Sequence, residues 1–235
     1  MEVFKFKYFD LFLGENIMKP STDSVILGAW SSKRNYNRIL DLGCGSGILG
    51  LMLAQENQSC EVVGIDLSKD AVNISNLNFT KSEFRNAFHF AQGDFIDFTS
   101  LPDPFFDLII SNPPYFIKDL NASEQSKNLQ RHFTLKKISD LVFNVSKLLT
   151  DKGLFLVVLP VGLESIWTTE LICNGLYPLD YLKIKHSNKS ETSLVCVAYS
   201  RLSSSVGFEE LVILDEEGNF STEYINLTRN FISVL

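Results

Sequence analysis

Between Arg38 and Ser111 the chain repeats one unit: a short β-branched apolar strand, a turn, a helical stretch and another apolar strand. That rhythm constrains the fold most, because strands apolar on both sides need cover on both faces, and a helix between successive strands makes them parallel. The expected strands are Arg38–Leu42, Glu61–Asp66, Ala87–Ala91, Phe106–Ser111 and Leu154–Val158. Ser68 to Phe79 carries Ser68 as an N-cap and Ala71, Ile74 and Leu77 as one narrow apolar stripe, a helix lying on the sheet. Leu135 to Leu149 has the clearest helical period, and Leu163 to Cys173 is a further helix ended by Asn174-Gly175. Leu179–Lys185, Ser193–Tyr199 and Leu211–Leu214 are expected as antiparallel edge strands, and Asn219–Asn230 as a short closing helix. The fold class is α/β, with a seven-stranded mostly parallel sheet, helices on both faces and an antiparallel C-terminal edge.

Composition narrows the function. The apolar run Gly153 to Leu163 is broken by Pro160 and falls well short of the roughly twenty residues that cross a membrane. The start, MEVFKFKYFD, lacks the pattern of a secretory signal, so a cytoplasmic protein with no membrane partner is expected. Cys44, Cys60, Cys173 and Cys196 are scattered without a CxxC pair, which points away from a metal site or a disulfide frame. A net charge of -7 does not advertise nucleic-acid binding, so any nucleic acid must be met locally. Small basic clusters stand at Lys5 and Lys7, at Lys33, Arg34 and Arg38, and at Lys183, Lys185, His186 and Lys189. Solvated surface is the plain reading of each; a positive rim including Lys5, Lys7, Lys33 and Arg34 is the functional one.

The first strand runs into Asp41-Leu42-Gly43-Cys44-Gly45-Ser46-Gly47 and then the apolar helix start Ile48 to Ala54. Glycines there let backbone approach a ligand at the carboxyl edge of the first strand, which is Rossmann-like. A dinucleotide fingerprint needs glycine or alanine where Ile48 stands, so G-x-G-x-G favours S-adenosyl-L-methionine over a nicotinamide cofactor. Asp66, with Leu67 beside it, ends the second strand about twenty residues on, where a carboxylate can accept both ribose hydroxyl hydrogens; its plain role is capping the next helix. Asp94 and Phe95 follow the third strand, where they can meet the adenine amino group and ring, although a loop aspartate alone is usually a turn former.

Strand Phe106 to Ser111 runs straight into Asn112-Pro113-Pro114-Tyr115. An exocyclic adenine nitrogen is a poor nucleophile while its lone pair is delocalised into the ring. Two acceptors on its hydrogens, the Asn112 side-chain carbonyl and the Pro113 backbone carbonyl, pull it towards tetrahedral geometry. Tyr115 offers a face for the unstacked base, a contact worth about 1–3 kcal/mol. The plain alternative is a Pro-Pro strand exit among buried aromatics.

These motifs resemble the class I S-adenosylmethionine-dependent methyltransferases, and more narrowly the bacterial enzymes that methylate N6 of adenine 37, beside the anticodon, of a valine tRNA. The resemblance covers nearly the whole chain: Phe6-Lys7, Met18 to Trp30, the glycine turn, Asn112 to Phe116, Arg131-His132, Val158 to Pro160, and Tyr224, Leu227, Thr228 and Phe231 of the tail. It implies a tRNA substrate, no obligate protein partner, and Thr22 and its neighbours closing over the methionine part of the cofactor. Thr22 or Asp23 can also simply cap a helix beginning near Ser24. The expected organisation is a single methyltransferase domain over 1–235, with a lid segment 1–35, a core 36–160 and edge strands with a tail helix over 161–235. The departures are Phe133 between His132 and Thr134, and Ile232 after Phe231. The resemblance leaves glutamine methylation of release factors, guanine-N2 methylation of ribosomal RNA and an idle RNA-binding protein as alternatives.

Overall fold

The computed structural model describes residues 2–14, 17, 19–94, 105–113 and 124–232, with the backbone alone for 124–134. An N-terminal hairpin pairs β1 (Glu2–Lys5) with β2 (Asp10–Leu13). The main sheet contains β3 (Arg38–Leu42), β4 (Glu61–Asp66), β5 (Phe88–Gln92), β6 (Phe106–Ser111), β7 (Leu149–Pro160), β8 (Tyr177–Ser187), β9 (Thr192–Ser200) and β10 (Gly207–Leu214). Their order is β10-β8-β9-β7-β6-β3-β4-β5. Reversal of order at β3, between β4 and β6, opens the crevice in which sheets of this kind bind ligands.

Among the described residues the sheet has eight strands, matching the eight expected segments rather than the expected total of seven, and its C-terminal edge is antiparallel except for the outermost pair. β9 alone runs against its neighbours β7 and β8, while β10 pairs parallel with β8 in the register Phe208↔Tyr181 and Glu210↔Lys183. The cause is connection length. A tight turn, with Ser190 N–H donating to Ser187 C=O, forces β9 back alongside β8. The short stretch 201–206 then carries the chain past the start of β8, so β10 sets out in the direction of β8.

Six helices among the described residues cover the sheet. α1 (Thr22–Ser31), α2 (Ile48–Glu56), α3 (Lys69–Lys81) and α6 (Thr222–Thr228) lie with the hairpin on one face, around a core that includes Leu11, Ile26, Met52, Val62, Phe79 and Phe231. α4 (Glu124–Leu148) and α5 (Val161–Cys173) cover the other face, around Val142, Phe155, Trp167 and Tyr199. α4 begins earlier than the apolar period beginning at Leu135 indicates. Its first turns, rich in Glu, Gln, Lys and Arg, suit a helix by backbone propensity without carrying an apolar stripe. The tail helix is shorter than expected because Phe220 bridges back to Leu214, leaving Ser221 as the cap. No helix among the described residues is long and apolar enough to cross a membrane.

Candidate active site

The glycine turn is built by parallel pairing. Gly43 and Cys44 N–H groups donate to the Ile65 carbonyl at 2.9 and 3.1 Å, which pulls the loop after β3 against the end of β4. Gly43, Gly45 and Gly47 sit at φ of 71°, 55° and 78°, left-handed backbone that glycine adopts without strain. A Cβ at Gly43 would meet nothing within 4 Å, so the turn presents bare backbone to an open space. α2 starts directly behind it, and Ile48 and Leu49 of its first turn line the same space.

Asp41 is 1% exposed, and its Oδ2 accepts from the Gly50 N–H at 3.2 Å. Its Oδ1 has no hydrogen-bond partner among the described residues. Burial pushes this carboxyl up to about 7, the Gly50 N–H draws it down, and the negative charge of Asp66 raises it further. A buried carboxyl with one oxygen unpartnered is costly to ionise, so a positive charge brought near it favours the carboxylate.

Asp66 does not cap α3. Ser68 does, its hydroxyl accepting from Ala71 N–H, and Asp66 instead links two loops: Oδ2 accepts from Gly45 N–H and Oδ1 from Ser68 N–H, both at 2.9 Å. The carboxylate is thus held in one orientation, and each oxygen keeps a second lone pair. Leu67 stays 55% exposed beside it. Gly93 N–H donates to Asp66 C=O and the Gln92 amide to Leu67 C=O, which brings exposed Asp94 to the same corner. Phe95 lies outside the described residues.

Asn112 leaves β6 at the carboxyl edge of the sheet, half-buried, and Pro113 after it is buried. The Asn112 amide nitrogen donates to Ser24 Oγ at 2.9 Å and reaches Ser21 Oγ at 3.5 Å. Ser21 is also the cap of α1, so Thr22 and Asp23 are not; Thr22 is the exposed first residue of that helix. A narrow cleft of about 70 Å³ runs between Lys19, Ser21 and Ser24 on one side and Gly43 to Ser46 and Asn112 on the other. Thr22 is not part of its lining. Tyr115 lies outside the described residues, and Arg131 and His132 are described by backbone alone.

Ser21 and Ser24 escaped the sequence reading, which gave Thr22 the closing role. Their Ser-x-x-Ser spacing at a helix start was the available signal. Of the four residues expected in a positive rim, Lys33 and Arg34 lie away from this edge. They follow α1 at the amino edge of the sheet, where they pair with Glu209 and Asp180.

A family profile described as a methyltransferase domain matches residues 33–204. Over 231 residues the chain is 31% identical to the tRNA1(Val) (adenine(37)-N6)-methyltransferase of Flavobacterium johnsoniae, covering 97% of this chain and 98% of the relative. The chain belongs to this methyltransferase family. The like-named protein of Tolumonas auensis is 32% identical, with 97% and 95% of the two chains covered. Among solved structures, a predicted O-methyltransferase from Agrobacterium tumefaciens superposes with a TM-score of 0.65 at 18% identity, over 89% of this chain and 96% of that one, which shows the shared fold. The methyl donor of this family member is S-adenosylmethionine. The residues present fit it: Gly43 leaves room where a side chain would intrude, and the cleft there is lined by the turn Gly43 to Ser46, Ser21, Ser24 and Asn112.

Proposed function

We propose that this methyltransferase transfers a methyl group to the exocyclic N6 of an adenine in tRNA, at position 37 of a valine tRNA as its relatives are named. The observation that carries the reading is the fixed amide of Asn112. Its nitrogen is engaged by the α1 hydroxyls, so its carbonyl oxygen is left to accept from a substrate N–H.

S-adenosylmethionine, when bound, supplies an already activated methyl on a positively charged sulfur. The chain's own residues do the rest. Gly43 and Gly45 offer bare backbone to the cofactor, and Asp66 and Asp94, with Leu67 and Phe95, hold its adenosine. Ser21 and Ser24, beside Thr22, stand over the other end. Asn112 and the Pro113 carbonyl each accept one hydrogen of the target amino group, which frees its lone pair and aims it. Tyr115 stacks on the base. No strong general base is required: once methylated, the amino group is cationic and acidic, and it gives up one hydrogen as a proton to water.

The test incubates the purified protein and its Asn112→Ala variant with labelled S-adenosylmethionine and tRNA lacking the modification, followed by nucleoside mass spectrometry. N6-methyladenosine from the wild type, reduced at least about a hundredfold in the variant, is expected. A wild type that labels a release-factor glutamine and no tRNA overturns the substrate and keeps the site chemistry.

A further inference from the structure

On the α5 side of the sheet, β8 presents Tyr181, Lys183 and Lys185, and the parallel β10 sets Phe208, Glu210 and Val212 opposite them. Tyr181 and Phe208 stack with centroids 5.3 Å apart and planes within 13°, and Lys183 Nζ lies 5.8 Å from the Phe208 centroid. Phe208 is 67% exposed. A groove of about 480 Å³ opens between these side chains and Val161 and Glu164 at the start of α5, within the range of small-ligand pockets. It is a shaped site: Glu164 Oε1 accepts from both Tyr181 OH (2.9 Å) and Thr168 Oγ (2.6 Å), which turns the carboxylate onto the protein and fixes the Tyr181 ring.

Strand register relates the groove to the candidate methylation site. Ser111, Val157, Val197 and Tyr181 stand at one level across β6, β7, β9 and β8, three strand spacings or about 14 Å. Lys183, Lys185, His186 and Lys189 continue from the groove to the carboxyl edge and the turn beyond it, the edge on which Asn112 lies. Lys185 is paired with Glu210 at 2.9 Å, as Lys33 and Arg34 are with Glu209 and Asp180 at the far edge, so in a chain of net charge -7 it is Lys183, His186 and Lys189 that a polyanion would meet here beside an exposed aromatic face. A sheet face offering aromatic rings with lysines alongside is how proteins hold unpaired nucleotides.

We infer that Tyr181, Phe208 and Lys183 form a second base-stacking site that takes an unpaired nucleotide of the RNA substrate a few residues from the methylated adenine. This rests on the RNA reading above. Binding of a fluorescent tRNA transcript is measured against salt for the wild type, Phe208→Ala, Phe208→Trp and Lys183→Glu, with cofactor affinity as the control for folding. Phe208→Ala is expected to raise the tRNA Kd about five- to a hundredfold, with Phe208→Trp restoring it. Lys183→Glu is expected to flatten the slope of log K against log salt by about 0.7, one single-strand phosphate contact. Unchanged cofactor affinity must accompany both. A wild type that binds tRNA and variants within twofold of it, with the same salt slope, overturn the groove and leave the substrate standing. A wild type that neither binds nor methylates RNA overturns both, and a dimer abolished by Phe208→Ala shows that the groove seats a second copy of this chain instead.

Discussion

Replacing Asp41 by asparagine separates what this buried carboxyl costs the fold from what it does for the cofactor. Burial moves its pKa from 3.8 to about 7. The folded state therefore holds the proton more tightly than the unfolded chain, and stability falls as pH rises from about 4 until the folded group ionises. The linkage integral gives a penalty of about 1–2 kcal/mol at pH 5 and about 4 kcal/mol at pH 8. An asparagine side chain in that place would keep the oxygen that accepts from Gly50 N–H and carry no charge. Urea unfolding of cofactor-free wild type and Asp41→Asn should thus show the variant more stable at pH 8, with the gap narrowing by about 2–3 kcal/mol at pH 5. The ionised carboxylate is also the form a cationic cofactor prefers. Wild-type cofactor Kd is expected to rise about tenfold from pH 8 to pH 6, following the ionised fraction, and the variant profile to be flat. A variant less stable than wild type at pH 8, or a gap independent of pH, would refute the reasoning.

Ser24→Ala removes the acceptor of the Asn112 amide, at 2.9 Å, without touching the glycine turn. It is expected to lower kcat about tenfold through loss of orientation, with cofactor Kd within twofold of wild type; an equal fall in cofactor affinity would assign Ser24 to the lid instead. Gly64→Ala places a Cβ 2.3 Å from the Phe90 ring and 3.1 Å from Cys44 Cβ. Denaturant titration should show a loss on the order of 1–3 kcal/mol, and an unchanged midpoint would mean that Phe90 has room to move.

What was legible in the sequence divides along physical lines. β3, β4 and β6 appear at their expected bounds because strands covered on both faces must be apolar throughout. Ser68 and Gly175 mark helix ends through local chemistry that acts over a few residues. The direction of β10 was not legible, since it depends on which side of β8 a short connection passes. Nor was the start of α4, where helix formers replace the apolar period. Within the site, Asp41 and Asp66 could be chosen by position, but the lock on Asp66 requires two N–H groups 21 and 2 residues away to converge on it.

The Ser24 contact joins two tasks that the sequence presents as separate. α1 packs on α2 through Gly28, whose Cα lies so close to Met52 that an added Cβ would approach its sulfur to 2.6 Å, and α2 begins at the glycine turn. The helix that orients Asn112 is therefore seated on the helix that backs the cofactor cradle. A movement of Lys19–Ser24 that widens the cleft beside Gly43 also withdraws the hydroxyls from Asn112. On the proposed function the acceptor and the donor cradle are thus held by one pair of packed helices. Where catalysis is mainly alignment, that shared support fixes the Asn112 carbonyl relative to the glycine turn.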